Sequence, residues 1–147
     1  MAEKTSDNEM LLIGIHKGAE MGRNTIDKLI GFVEDKVFKG LLESQHDEYN
    51  RVYMASDVLI KSMDGDDRGV PPIAKTMGNM MIDIKAGGDN SVSNLAEMVL
   101  QGTEKGMEQL SKDMEDYSMG AKEETLNLAN AYGEFLERNR HELKKFL

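Results

Sequence analysis

The sequence of 147 residues contains no cysteine, no tryptophan and only two prolines. The absence of cysteine excludes disulfide bonds, thiolate zinc sites and cysteine nucleophiles. No stretch approaches the roughly 20 apolar residues that a membrane-spanning helix needs. The first residues lack the basic segment and the apolar run of a secretory signal peptide. We therefore expect one domain, residues 1–147, in the cytoplasm, with about the first six residues disordered.

Positive charge is scarce, because 18 Lys and Arg stand against 27 Asp and Glu and the formal net charge is -9. A nucleic-acid partner needs a basic face that neutralises phosphates, which this acidic chain does not offer. An anionic membrane surface also disfavours an acidic protein. The composition therefore favours protein partners, with a homodimer as one form, over nucleic acid or membrane.

Apolar residues recur at alternating spacings of four and three, the pattern of helices that bury one face. The first helix has a capping-box pattern at Ser6 and Glu9. Its stripe consists of Leu12, Ile15, Ala19, Gly22, Ile26, Leu29 and Val33. A second stripe consists of Leu42, Gln45, Tyr49, Val52, Ser56, Leu59 and Met63. The two stripes differ in phase by about 110°, which predicts a turn between Glu34 and Gly40.

Two further stripes follow a break that is rich in Asp, Gly and Pro. Residues 64–90 are expected to form a central connection with a short amphipathic helix. The third stripe consists of Val92, Leu95, Val99, Gly106, Leu110 and Tyr117, and the fourth of Ala121, Thr125, Leu128, Tyr132, Phe135 or Leu136, Asn139, Leu143 and Phe146. Gly120 is the only stop signal between them. We expect a break there, because one helix from Ser91 to Leu147 would be about 85 Å long.

Two long helices, a connection with a short helix, and two more long helices resemble the plan of ferritin-like bundles. The segments Glu43-Ser-Gln-His-Asp-Glu-Tyr49 and Asn94-Leu-Ala-Glu-Met-Val-Leu-Gln-Gly102 resemble parts of uncharacterised bacterial ferritin-like families. The resemblance spans about residues 8–145. It implies an all-α fold, an antiparallel four-helix bundle with a short extra helix in the central connection.

Ferritin-like di-iron proteins place a Glu on each of two helices and a Glu-x-x-His pair on each of the other two. The resemblance therefore implies a set of candidate iron ligands: Glu20, Glu43, His46, Glu97 and Glu137. Glu43 and His46 have the required spacing. The second pair is missing, because Glu134 is followed three residues later by Glu137, and Glu137 by Arg140.

Helical phase places these candidate ligands away from the buried stripes. All five lie about 100° to 160° from the centres of their stripes at 100° per residue. The same count puts every histidine outside the buried faces: His16, His46 and His141. We therefore expect no catalytic residue, no cofactor and no internal metal site. The favoured function is a ferritin-like structural or protein-interaction module that is not an enzyme. The alternative is a ferritin-like di-iron protein that oxidises or stores iron.

Two amides, Gln45 and Asn139, lie at the centres of their stripes. A buried amide fixes the register of packed helices, as a seam Asn does in coiled coils. A polar pocket for a small molecule is the other interpretation. We expect Gly22, Gly102 and Gly106 to allow close approach of helices. The acids nearest the core are predicted to be Glu48, Asp113, Glu124 and Glu142, as flanking charges. The apolar residues predicted to face outward are Met10, Ile13 and Leu126, the first two as the start of a dimer contact.

Overall fold

The computed structural model describes residues 6–63 and 90–147, and within these ranges the chain forms four α-helices and no strand. The helices are α1 (Asp7–Ile30), α2 (Lys36–Ser62), α3 (Val92–Tyr117) and α4 (Glu123–Lys144). The predicted all-α class is confirmed. The short helix predicted in the central connection, and residues 1–5 of the segment of about six predicted to be disordered, lie outside the described residues. No described helix combines the length and the apolar character that crossing a bilayer requires.

Local side-chain chemistry sets the beginning of each helix. The first three helices begin at a side chain that accepts a backbone N–H: Ser6 from Glu9 at 3.1 Å, Asp35 from Phe38 at 2.9 Å and Ser91 from Asn94 at 3.2 Å. Such caps satisfy donors that the first turn leaves without an intrahelical partner. Helix α4 lacks a side-chain cap of its own. Instead, the backbone N–H of Lys122 donates to Asn8 Oδ1 at 2.8 Å, so α1 caps α4.

Both predicted breaks between helices are present. The turn between α1 and α2 occupies residues 31–35, slightly earlier than the predicted Glu34–Gly40, because Asp35 caps α2. Helix α3 ends at Tyr117, and a 3₁₀ turn at Ser118–Gly120 precedes α4. A Cβ at Gly120 would lie 2.7 Å from the Asp7 carboxylate, so the turn packs closely on the start of α1.

Contacts between residues distant in the sequence join the helices to one another. Contacts between α1 and α2 join Asn8 to Met63, His16 to Ser56 and Arg23 to Asn50. Those between α2 and α4 join Phe38 to Phe146 and Tyr49 to Phe135. Helix α3 contacts α1 where Gly14 faces Asp113, and it contacts α4 where Gly106 faces Leu136 and Gly133 faces Leu110. Contacts between α1 and α4 join Asn8 to Lys122 and Gly18 to Tyr132.

One hydrophobic core receives side chains from all four helices. The stripe of α1 is buried as predicted, with Leu12, Ile15, Ala19, Ile26 and Leu29 each at most 1% exposed. In α4, where the spacing left two candidates open, both Phe135 and Leu136 are buried. Each fully buried Leu, Ile or Phe contributes about 1.5–3 kcal/mol of hydrophobic free energy relative to an exposed position. Packing of these stripes therefore holds the helices in place.

Candidate functional site

Several polar side chains are buried among the described residues, and we call five of them the polar layer: Gln45 and Tyr49 from α2, Thr103 from α3, and Tyr132 and Asn139 from α4. Each is at most 5% exposed. Buried polar groups are costly unless they find partners, so a group of five in one core is the feature that most needs an explanation. The sequence predicted the burial of Gln45 and Asn139. It also placed both tyrosines in their stripes, but it missed Thr103, although Thr103 follows the stripe residue Val99 by one turn.

The tyrosines of the polar layer are held in their neutral form. Burial raises the pKa of Tyr49, and the adjacent polar groups of Thr103 and Asn139 offset only part of that increase. Burial raises the pKa of Tyr132 well above its ordinary value, and nearby Tyr49 adds to the effect. A phenol that stays protonated neither binds a metal ion as phenolate nor abstracts a proton at neutral pH.

The amides of the polar layer are less well paired than its hydroxyls. The Thr103 hydroxyl donates to the Val99 carbonyl oxygen at 2.9 Å. In contrast, the amide nitrogen and oxygen of Gln45 and the amide nitrogen of Asn139 have no hydrogen-bond partner among the described residues. Each such group carries a cost of about 1–3 kcal/mol. Gln45 and Asn139 therefore lower stability, which a role in helix register or in ligand binding would explain.

Two glycines of α1 make room for the two tyrosines. A Cβ at Gly22 would lie 2.4–2.7 Å from three ring atoms of Tyr49, and one at Gly18 would lie 2.6 Å from the Tyr132 hydroxyl. The predicted close approach at Gly22 is thus confirmed. A Cβ at Gly106 would make ordinary contact with Leu136 at 3.7 Å. The prediction for Gly102 is wrong for residues 6–63 and 90–147, because none of their atoms lies within 4 Å of a Cβ there.

The candidate iron ligands are not brought together. The side chains of Glu43, Glu97 and Glu137 are exposed, as the phase count predicted, and Glu20 is half-buried. The His46 side chain is 29% exposed, and its Nε2 atom lies 2.9 Å from Asp27 Oδ1. Glu137 pairs with Arg140 on the surface of α4. In residues 6–63 and 90–147, no three His, Asp or Glu side chains form a group that could hold a metal ion.

The prediction that His16 faces outward is wrong. Its side chain is 3% exposed, with Nδ1 lying 3.0 Å from Ser56 Oγ. The imidazole stacks on the Tyr53 ring at 4.2 Å between centroids, and the Arg23 guanidinium covers the same ring at 4.2 Å. The physical reason is that α1 packs against the other three helices, so its buried face is wider than the single stripe that the phase count assumes.

Titration of His16 is expected to weaken the fold in mild acid. Burial lowers the pKa of His16 below its ordinary value of 6.5, although Asp57 and Glu20 partly oppose this. The unfolded chain therefore binds the extra proton first, and stability falls as the pH drops below 6.5 toward the folded-state pKa. The slope of this contribution is at most about 1.4 kcal/mol per pH unit.

Urea unfolding of the wild type and of His16→Gln between about pH 8 and about pH 5 measures this contribution, because histidine titrates in that range. We expect the wild type to lose more stability than the variant below pH 6.5. His141→Gln, at an exposed position of α4, is the matched control and should follow the wild type. A wild-type curve parallel to that of His16→Gln would contradict the burial of His16 in its neutral form.

The four acids predicted to lie nearest the core differ in their surroundings. Asp113 is buried to 9% exposure, where burial raises its pKa and a hydrogen bond from Gln109 partly offsets the increase. Glu48 forms an ion pair with Arg138 at 2.9 Å, and Glu142 pairs with Lys145 at 3.2 Å. Glu124 is exposed, contrary to its predicted position. The acids therefore do not form a common carboxylate cluster.

The predicted outward apolar residues also require correction. Met10, Ile13 and Leu126 are half-buried, and Leu126 packs against the core. Exposed apolar side chains instead occur on α2, at Val37, Met54 and Val58. Sequence reasoning missed this surface because only the buried stripe of α2 was assigned, and the apolar residues on its opposite face were not considered.

Comparison of the chain with protein-family models, with curated proteins and with solved structures found no match. The resemblance to ferritin-like families therefore stays a prediction.

Proposed function

We propose that this protein is a non-enzymatic, ferritin-like four-helix bundle whose core is structural and which acts through contacts with other proteins. The observation that carries the proposal is the content of the core. Neutral hydroxyls and amides occupy its centre, at Tyr49, Thr103, Tyr132 and Asn139, while the candidate ligands Glu43, Glu97 and Glu137 are exposed.

The order and direction of the helices support the ferritin-like part of the proposal. The order of the contacts along the helices supports α1 being antiparallel to α2 and α3 and parallel to α4, so that α2 and α3 run in the same direction. Two hairpins related in this way need one long connection between the second and third helices, as in ferritin-like bundles. Helix α2 ends at Ser62 and α3 begins at Val92, so the sequence provides that separation.

The residues do not fit a di-iron centre of the ferritin type. Such a centre needs four carboxylates and two imidazoles directed between the helices. Here the imidazole of His46 pairs with Asp27 at the edge of α1, and the buried imidazole of His16 contacts Ser56 and Tyr53 instead of a carboxylate. A helical bundle without such a centre contributes surfaces for binding, and its fold alone does not specify a reaction.

Elemental analysis tests the proposal against the iron-protein alternative. The full chain is produced in cells grown with added iron, purified without chelators and analysed for bound metals. We expect iron far below one atom per chain, and no change in helicity or thermal stability when ferrous iron is added to the purified protein, since a ligand that binds the native state raises stability.

The substitutions Glu43→Ala and His46→Ala sharpen the result. Both side chains lie outside the core, so we expect the variants to match the wild type in metal content and fold. Glu108→Ala, at an exposed position of α3, is the control for loss of one surface carboxylate. Near-stoichiometric iron that is lost in the first two variants and kept in the control would overturn the proposal.

A further inference from the structure

The outer side of α2 carries a row of exposed residues that we call the α2 strip: Val37, Gly40, Ser44, Asp47, Arg51, Met54, Ala55, Val58 and Ser62. All nine are exposed. Among the described residues, five large apolar side chains are exposed, and three of them lie on this strip: Val37 at 73%, Met54 at 58% and Val58 at 65%. The other two, Met119 and Leu147, lie in the 3₁₀ turn and at the end of the chain. Exposed apolar side chains that share one helix face are typical of an interaction surface.

Among the described residues, no atom packs against Gly40 of the α2 strip. Nothing lies within 4 Å of a Cβ at this position, in contrast to Gly22, where three ring atoms of Tyr49 would clash. Glycine inside a helix costs about 0.5–1 kcal/mol relative to alanine. A second helix that approaches α2 closely at Gly40 would explain the absence of a side chain there.

The charged residues of the α2 strip can pair with the charged residues of the same strip in a second copy of the chain. Asp47, with a side chain 72% exposed, and Arg51 lie one turn apart, and Arg51 forms no ion pair within the part of the chain that the structure describes. A second copy placed antiparallel and centred midway between them sets Asp47 against the partner's Arg51, and Arg51 against the partner's Asp47. The twofold symmetry of a dimer makes both pairs at once.

The same arrangement matches small residues with large ones. It sets Ser44 opposite the partner's Met54 and Gly40 opposite the partner's Val58, on both sides of the central charge pairs. Met54 and Val58 therefore each meet a small residue of the other helix, which is the condition for close helix packing. The pattern needs no further segment or partner to be satisfied, so a second copy of this chain fits it.

We propose that the protein forms a symmetric homodimer through an antiparallel pairing of the α2 strips. The inference rests on the proposed function and names the partner as a second copy of the chain. Opposite charges select the register, because like charges placed at the same sites would repel. Burial of Met54 and Val58 supplies the attraction.

Charge reversal provides the test. The molar mass of the full chain is measured by sedimentation and by light scattering from about 1 to about 100 µM, the range in which small interfaces dissociate. We expect the wild type to reach twice the mass of the chain. Asp47→Arg and Arg51→Asp should each be monomeric or dissociate at least tenfold more readily, since each variant sets two like-charged pairs against each other. The double variant Asp47→Arg/Arg51→Asp should recover the dimer with its signs exchanged.

Mixing the two single variants gives a result that a nonspecific loss of binding at this surface would not give. An equimolar mixture of Asp47→Arg and Arg51→Asp should form a heterodimer, because every cross pair then joins opposite charges. Matched controls on exposed positions of α3, Glu108→Arg and Lys105→Asp, change the net charge equally and should leave the wild-type dimer intact. Circular dichroism checks that all variants keep the helical fold.

A wild type that stays monomeric throughout, or a dimer that neither charge reversal weakens, would overturn the α2 pairing. An iron-free monomer would overturn this inference alone, whereas near-stoichiometric iron would overturn the proposed function whatever the mass. The two failures are therefore distinguishable.

Discussion

Replacing Gly22 with alanine is expected to destabilise the protein by about 1–3 kcal/mol, the usual cost of an extra group in a packed core. The new Cβ would lie 2.4 Å from Cε1 and 2.5 Å from Cζ of Tyr49. That ring is 4% exposed, and Phe135 meets it edge-on at 4.8 Å between centroids, so it has little room to move. The clash should outweigh the gain of about 1 kcal/mol in helix propensity.

Three other glycines provide the controls for this substitution. Gly102→Ala should stabilise the protein by about 0.5–1 kcal/mol, because alanine is the better helix former within α3 and its Cβ would contact no described atom within 4 Å. Gly18→Ala meets the Tyr132 hydroxyl at 2.6 Å, whereas the nearest ring carbons lie at 3.5 and 3.6 Å, so its cost should be smaller than that at Gly22. Gly14→Ala meets the carboxylate end of the short Asp113 side chain and neither ring nor backbone atoms, and should be nearest to neutral of the three in α1.

Urea unfolding of the four variants under one set of conditions measures this series. The expected order of stability is Gly102→Ala above the wild type, followed by Gly14→Ala, Gly18→Ala and Gly22→Ala. If Gly22→Ala were at least as stable as Gly102→Ala, the Tyr49 ring would not pack against α1 at Gly22. The packing of α1 against α2 described above would then be wrong.

The helices could be predicted from the sequence because their apolar residues repeat at the helical period. The stripe from Leu12 to Leu29 and the break at Gly120 are both present in the structure. The phase difference between the first two stripes also located the turn before α2 to within a few residues. These features depend on residues close in sequence, which a single chain displays directly.

Contacts between distant residues could not be predicted in the same way. The cap that Asn8 provides for Lys122 joins residues 114 positions apart, and no local pattern announces it. His16 was misplaced because a phase count assumes one buried face, whereas α1 is covered on several sides. Gly102 and Gly22 look alike in sequence, and only the presence of Tyr49 beside one of them separates their roles.

The polar layer was predictable in part. Gln45 and Asn139 could be recognised as buried amides from their positions in the stripes, since polarity and phase are both visible in the sequence. Whether such an amide finds a partner depends on the side chains of other helices. The structure leaves three of their amide atoms without one among the described residues. This outcome has a direct energetic consequence.

Replacing Gln45 with methionine is expected to stabilise the protein by about 1–3 kcal/mol, the cost that unpaired buried polar atoms impose. Gln45 is 2% exposed, and neither its amide nitrogen nor its amide oxygen has a partner in the described part of the chain. Methionine has nearly the same length and shape and needs no hydrogen bond, so the surrounding core should accept it. Thermal and urea unfolding measure the gain.

Gln101→Met, at an exposed position of α3, is the matched control and should change stability by less than about 0.5 kcal/mol. A loss of stability in Gln45→Met would mean that the amide is hydrogen-bonded in solution, and would favour a polar pocket over an unpaired amide that lowers stability.

If Gln45 and Asn139 set the register of α2 against α4, their removal should also make that register less well defined. In the double variant Gln45→Met/Asn139→Leu, we then expect higher stability together with broader NMR signals from the core, because the two amides that distinguish one register from another are removed.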